Sequence, residues 1–497
     1  MRSEKLFRPF IRPMFNSHCG GIRLDEVSLM KRIGALLLCG ILLLPAAGAS
    51  GTPWPAWAAE ALAWGREKSV SRAFLASPGQ RLTRGAVARL LYESAGQPAA
   101  HEECPFSDVS EKDAAAVGWA AGQGYLTGVG DGTYEPGRPV TRQEFAAILW
   151  RQAGTPEVPV QGLERFGDAG TVSEWARDAV LWCQQAGVMA GRSGDKLAPE
   201  DTITTAEALV MLERAAGLPD VGQLRDDLEI LAAHHRPVGS QGEADAVRYL
   251  RDRFEEMGYS VTLQPYTDGQ GRTGHNVAAV KAASVPDADI LVLSAHHDSV
   301  PTAYGANDNA SGVAALLYTA EALRNVPTDT EVRFLSFTDE ENGKNGSRTY
   351  TASLTEEERT RIVGAIQFDM LGGLGSTGTL VCTVDGEANW VSDLLQKKNP
   401  GLESGVETAS DHTSFQLSGI PAVLLMQRGR GYLYHSAADT AEQLDLYAIA
   451  AAADSAAAAA EEICSADTPS YRALAREQGE RGAYRQTRQN MIYFGSS

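Results

Sequence analysis

Residues 289–298 read DILVLSAHHD, an apolar run without polar alternation that stops at two histidines and an aspartate. Such a run suits a strand covered on both faces of a sheet. Three later stretches repeat the arrangement. Residues 331–341, EVRFLSFTDEE, end in Asp339, Glu340 and Glu341, and residues 362–369, IVGAIQFD, end in Asp369. Residues 420–426, IPAVLLM, lead into a glycine-rich loop that closes with Tyr434 and His435. Helical segments such as 311–325 lie between them. Strand–helix alternation predicts a largely parallel sheet, whose ligands gather at the carboxyl ends of the strands. Imidazoles and carboxylates recur at those ends.

Outward from this core, residues 305–312, GANDNASG, place Asp308 among small residues ahead of a helix, where its side chain can come close to the strand ends. Hydrolysis of a peptide at neutral pH needs a nucleophile better than bulk water and an electrophile on the carbonyl. A zinc ion supplies both, lowering the pKa of bound water to about 7. Two zinc ions about 3.5–4 Å apart require a bridging carboxylate, and ligation by nitrogen and oxygen suits His, Asp and Glu.

These motifs resemble, over residues 224–465, the di-zinc aminopeptidase family (metallopeptidase family 28), whose relatives include glutamate carboxypeptidases and glutaminyl cyclases. The resemblance rests on five motifs in order, His296-His297-Asp298, Asn307-Asp308, Glu340-Glu341, Phe368-Asp369-Met370 and Tyr434-His435, with Ser410-Asp411-His412 as a further match. It implies that His296 and Asp369 hold one zinc ion, that Glu341 and His435 hold the other, and that Asp308 bridges. Asp298 would orient His296 through its other ring nitrogen. Glu340 would be the general base, taking a proton from the metal-bridging water and returning one to the leaving amine. Tyr434 would donate a hydrogen bond to the developing oxyanion. His297 should face the opposite side of the sheet as a structural residue. Asp339 and Asn342 read as solvated neighbours, and Asp411 and His412 as pocket-lining or loop-stabilising residues. The fold expected is a three-layer α/β/α domain with a mostly parallel mixed sheet.

Upstream, the chain repeats itself. Phe106–Asp108 and Phe166–Asp168 each open a segment with a tryptophan-bearing helix, at Trp119 and Trp182, a glycine-rich turn, a proline and a second helix that starts at Thr141 or Thr204. A degenerate copy contains Trp57, Trp64 and Thr83-Arg84. One such unit cannot bury its apolar face alone, so three make a stable all-α region. These copies, at 54–100, 104–154 and 164–217, resemble S-layer homology domains, which implies binding to bacterial secondary cell-wall polysaccharide. The middle copy's Thr141-Arg142-Gln143-Glu144 matches the family's Thr-Arg-x-Glu element, which implies that Arg142 contacts the anionic polymer. The first copy lacks the acid and the third lacks the arginine.

The remaining features bound the function. The 497 residues exceed one ordinary domain, and 43% hydrophobic and 22% charged residues are globular composition. A net charge of −19 argues against a nucleic-acid partner. From Met30, two basic residues, an apolar run and a small-residue stretch follow the order of a secretory signal peptide over 30–49, with 1–29 an upstream extension. The expected location is the bacterial cell surface, with no membrane span after cleavage. Cys104, Cys183, Cys382 and Cys464 form no pair motif and read as small hydrophobes. Residues 466–497 read as an arginine-rich tail, either a wall-contacting segment or, as is commoner, a solvated helix or a loose terminus. The function expected is a wall-attached di-zinc aminopeptidase acting on peptides. A carboxypeptidase or dipeptidase, for which Arg428 and Arg430 could hold a terminal carboxylate, is the alternative, with a glutaminyl cyclase third. A wall-binding scaffold with an inert peptidase-like domain is the alternative of another class.

Overall fold

The computed structural model describes residues 53–494 except 100–102, 157, 159–161, 193–194, 432 and 466–470, with backbone alone for 484–494. The upstream extension, the leader and the two cysteines in 1–49 lie outside the described residues. No described helix is long and apolar enough to cross a membrane.

In the repeat region the helices α1 (Arg84–Ser94), α2 (Arg142–Gln152) and α3 (Thr205–Ala216) each start behind a threonine cap. Thr141 and Thr204 form capping boxes with Glu144 and Glu207, whereas the first copy has Ala86 in that place and Thr83 caps alone. The residues just before these caps close a ring. The N–H of Leu82 donates to the carbonyl of Ile203 (3.0 Å), that of Ile203 to Val140 (2.9 Å), and that of Val140 to Leu82 (3.0 Å). All three side chains are buried in one apolar core that runs through the three copies. The repeated Phe-x-Asp element has an equally plain role. Asp108 accepts the N–H groups of Tyr134 and Glu135 at 2.8 and 2.7 Å, and Asp168 accepts those of Leu197 and Ala198, both at 2.8 Å.

Arg142 departs from the expectation that it meets a polymer. It is 3% exposed, pairs with Glu207 of the third copy at 3.0 Å, and donates to the carbonyls of Leu197 (3.0 Å) and Ala190 (2.8 Å). Arg84 does the same job one copy earlier, donating to the carbonyls of Tyr134 and Thr127. These arginines fasten each copy to the next. The reason is steric: the first helical position after the cap faces the following copy.

The rest of the chain carries one eight-stranded sheet. Its strands are β1 (Ser260–Thr267), β2 (Thr273–Lys281), β3 (Ile290–His296), β4 (Glu331–Phe337), β5 (Ile362–Phe368), β6 (Thr379–Thr383), β7 (Glu403–Val406) and β8 (Ala422–Gln427). The order is β1-β2-β4-β3-β5-β8-β6-β7. The four middle strands β4, β3, β5 and β8 run parallel, and antiparallel pairs join β1, β2 and β6 to them. Along β3 the side chains alternate between two cores: Leu291, Leu293 and Ala295 enter one, Ile290 and Val292 the other. That two-faced burial accounts for the unbroken apolar run and makes three layers. On one face lie α4 (Gln241–Glu256), α5 (Ser311–Leu323) and α6 (Leu446–Ile463), all contributing to the larger core.

The last helix, α7 (Arg472–Phe494), is neither loose nor merely solvated over its described side chains. Tyr471 stacks on Trp390 with ring centroids 4.3 Å apart, Arg472 pairs with Asp289, and Gly479 lies so close to the carbonyl of Gly419 that a Cβ would meet it at 1.8 Å. Cys183, Cys382 and Cys464 are buried and unpaired, and Cys104 is half-buried and unpaired. Between the repeat helices and the sheet region, the indole N–H of Trp182 donates to the Tyr447 hydroxyl at 3.1 Å.

Candidate metal centre

The four parallel strands end side by side, and their trailing residues converge. Nε2 of His296, at the end of β3, lies 3.3 Å from Asp308 Oδ1 and 3.4 Å from Asp369 Oδ1, the latter just after β5. Nε2 of His435 lies 3.2 Å from Asp308 Oδ2 and 3.0 Å from Glu341 Oε2. Two triads result, His296–Asp308–Asp369 and Asp308–Glu341–His435, and in each the potential ligand atoms lie within 4.8 Å of one another. Asp308 belongs to both and offers a different oxygen to each.

Neighbouring groups hold these side chains in place. Asp298 has its Oδ1 3.4 Å from His296 Nδ1 and accepts the backbone N–H groups of Glu340 (3.1 Å) and Glu341 (3.3 Å). One carboxylate therefore ties the β3 ligand to the loop after β4. His297 points to the other side, with Nδ1 2.9 Å from the Ser336 hydroxyl and Nε2 3.8 Å from Glu243. Asp308 sits in a non-helical segment ahead of α5, at φ −114° and ψ 87°. Its peptide bond to Asn309 is cis. Gly312 permits the close approach, since a Cβ there would lie 2.4 Å from the carbonyl oxygen of Phe368.

Two positioning residues were not legible in the sequence. Asp439 accepts the backbone N–H of Asn307 at 2.7 Å and of Asp308 at 3.2 Å. Arg236 is fully buried and donates to the carbonyls of His297 (2.6 Å), Leu231 (2.5 Å), Tyr304 (2.7 Å) and Gly305 (2.8 Å). Burial lowers its pKa to about 10, so it stays charged at neutral pH. The Asp439 signal, an acid four residues after His435, is too common to single out. Asp339, expected to be solvated, is instead 1% exposed and accepts hydrogen bonds from the side-chain amides of Asn342 and Asn345, both at 2.7 Å. A left-handed backbone at Asp339, φ 57°, turns its side chain into the loop.

The charge balance is lopsided without a cation. Burial and the nearby carboxylates push Glu340 well above its ordinary range, although His296 opposes the shift. Burial and Asp308 push Glu341 up to about 8. Burial disfavours the charged form of His296, yet Asp369, Asp298 and Asp308 more than offset it and hold the imidazole well above its usual value. Both ring nitrogens of His296, Nε2 of His435, Oε1 of Glu341 and Oδ1 of Asp369 are buried without a hydrogen bond. Orphaned acceptors crowded in this way fit divalent cations, which need deprotonated nitrogen and oxygen donors.

A small pocket opens from the triads, walled by Met370, Leu424 and Met426 and bounded by Ser410, Glu407, Arg430 and Tyr434. Tyr434 is raised to about 12, mainly by burial and by Asp308, so its hydroxyl keeps its proton. Asp411 and His412 are buried behind the pocket. Gln367 donates to Asp411 at 3.3 Å, and His412 Nε2 lies 2.8 Å from the carbonyl of Glu407, which is the loop-stabilising alternative for His412. Arg428 pairs with Glu403, and Arg430 with Glu407.

Residues 276–460 match the family model described as Peptidase family M28, and residues 105–146 and 165–209 match that described as S-layer homology domain. The latter model thus matches two segments, where three were expected; the copy over 54–100 shares the ring and the core but not the match. Aminopeptidase YwaD of Bacillus subtilis (strain 168) is 35% identical over 169 residues, 32% of this chain and 36% of that protein. Leupeptin-inactivating enzyme 1 of Streptomyces exfoliatus is 32% identical over 209 residues, 39% of this chain and 45% of that protein. The chain spans less than half the length of these curated relatives. Among solved structures, the aminopeptidase from Aneurinibacillus sp. strain AM-1 is similar with a TM-score of 0.47 at 25% identity, covering 49% of this chain and 94% of that one.

Proposed function

We propose that the chain is a zinc-dependent aminopeptidase of the bacterial cell surface that removes N-terminal residues from peptides. The observation that carries this reading is the pair of ligand triads sharing Asp308 at the ends of four parallel strands. His296 and Asp369 would hold one zinc ion, Glu341 and His435 a second, with Asp308 common to both. Bound zinc lowers the pKa of water and polarises a carbonyl. Glu340 lies on the pocket wall beside these residues, and its high proton affinity suits a group that takes a proton from water and passes it to a leaving amine. Its backbone N–H is held by Asp298, which keeps the loop in register with His296. The protonated Tyr434 hydroxyl suits an oxyanion donor.

The ion pairs bear on which end of a peptide is recognised. A carboxypeptidase needs an available cation for the terminal carboxylate, and both Arg428 and Arg430 already have carboxylate partners. The two complete triads favour two ions, which weighs against a single-metal cyclase. Export through the leader at 30–49 and attachment to wall polysaccharide through the S-layer homology repeats belong to the same proposal. With Arg142 and Arg84 committed between copies, the polymer would meet the groove bordered by Arg138, Arg151 and the exposed Trp175.

The zinc-loaded protein should hydrolyse Leu-p-nitroanilide, leave an N-acylated dipeptide uncut and leave a Gln-peptide uncyclised. Rapid cleavage of the blocked substrate alone would overturn the aminopeptidase reading. Protein that retains no zinc on purification, and gains no activity when zinc is added, would leave an inert scaffold. Co-sedimentation with purified cell walls tests the attachment.

A further inference from the structure

One ion pair at the pocket was given no role of its own in the chemistry above. Arg430 stands at a loop tip between Gly429 and Gly431, both left-handed at φ 79° and 72°. Its Nη2 donates to Glu407 Oε2 at 3.0 Å, its Nη1 donates to the Tyr434 hydroxyl at 3.3 Å, and its guanidinium carbon lies 5.3 Å from the centre of the Tyr434 ring. Glu407 is the fixed partner. Its Oε1 accepts the backbone N–H groups of Thr408 (2.8 Å) and Ala409 (3.0 Å), and its own carbonyl is held by buried His412. The pair borders a pocket whose other end is the triad carboxylates and whose wall is Met370, Leu424 and Met426. Among the described residues Arg430 is the only basic side chain lining that pocket.

We propose that Glu407 is a specificity-determining residue: by holding Arg430 it keeps the subsite for the substrate's terminal side chain neutral, so that apolar side chains are accepted and acidic ones turned away. The inference rests on the exopeptidase reading above and deepens it. An acidic side chain entering beside Met370 and Met426 would meet the like charge of Glu407 and could reach Arg430 only by displacing it, whereas an apolar side chain leaves the pair intact. Juxtaposed like charges are the usual device for rejecting a wrong partner.

The test is Glu407→Gln in the full zinc-loaded chain. The new amide oxygen can still accept from Thr408 and Ala409, while its NH2 faces the guanidinium and offers no acceptor, so Arg430 is released. The kcat/KM ratio for Glu- over Leu-p-nitroanilide should rise about 10-fold or more, and adding Arg430→Gln should return it to the wild-type value. Loss of the Arg430 contact to Tyr434 alters turnover of both substrates and cancels in the ratio. The reciprocal variant, Arg430→Gln alone, frees Glu407 and should raise the Arg- over Leu-p-nitroanilide ratio by about the same factor. Calorimetric binding of free L-glutamate, L-arginine and L-leucine should shift in parallel. Unchanged ratios by both readouts would overturn the assignment of Glu407. A wild-type protein that cuts no p-nitroanilide, but whose amino-acid binding shifts as stated, would instead remove the exopeptidase reading and leave the subsite.

Discussion

Replacing Asp439 by asparagine isolates the support beneath the shared carboxylate. Asp439 meets the triads only through backbone: it accepts the N–H groups of Asn307 and of the shared Asp308 with separate oxygens, at 2.7 and 3.2 Å. Asparagine keeps one acceptor and turns an NH2 group toward the second N–H, so one charged hydrogen bond is lost and the other becomes neutral. Hydrogen bonds to charged groups contribute about 1.5–3 kcal/mol. Carried into the placement of Asp308, that corresponds to about 10–100-fold weaker zinc affinity. The assay is chelator competition at fixed pH, reading both binding steps, because Asp308 serves both triads and the two should weaken together. Glu340 keeps its own support from Asp298, so turnover per bound zinc should change far less than affinity. Zinc affinity unchanged in both Asp439→Asn and Asp439→Ala would refute the coupling.

Glu340→Gln should retain zinc and lose at least about 100-fold in kcat; near-normal turnover would remove its role as base. His296→Ala and Asp308→Ala should lose zinc together with activity, measured by elemental analysis. Zinc affinity should fall as pH is lowered from 8 to 6. With its pKa raised to about 8 by burial and Asp308, Glu341 is increasingly protonated over that interval, and each ion bound must displace protons. Proton release measured on zinc addition checks the sign. Arg142→Ala should destabilise the repeats by about 1–3 kcal/mol in urea unfolding, the scale for leaving buried acceptors without a donor, because the carbonyls of Leu197 and Ala190 lose the guanidinium while Glu207 keeps Arg192 and Thr204.

What the sequence made legible follows from where its signals are local. Each central strand announced itself by an apolar run, because both faces of β3, β5 and β8 are covered. The triad residues were legible because they sit at a strand end, in the loop that follows one, or just ahead of a helix, and the order of the motifs matched a known family. Asp439 and Arg236 were not, since each acts on backbone groups remote in sequence: 132 residues separate Asp439 from Asn307, and 61 separate Arg236 from His297. Nothing in the local composition marks such a residue. Asp339 was misread as solvated because an acid beside two others resembles a surface cluster; only the left-handed turn at φ 57° reveals that it faces inward. The burial of Arg142 was not legible for a related reason. A motif identifies which residue types recur, but whether a guanidinium faces solvent or the next copy depends on how the copies stack.

The closed ring through Leu82, Val140 and Ile203 limits how this region can be cut or transplanted. Excising residues 54–100, to keep only the two copies that a family model matches, would strand the N–H of Val140 and the carbonyl of Ile203 and strip apolar cover from α3. A pair of copies grafted onto another protein should therefore aggregate or seek a substitute third strand of backbone, whereas the triplet should transfer as one piece. Copy number in such an assembly is set by geometry, and the least recognisable member closes the circuit.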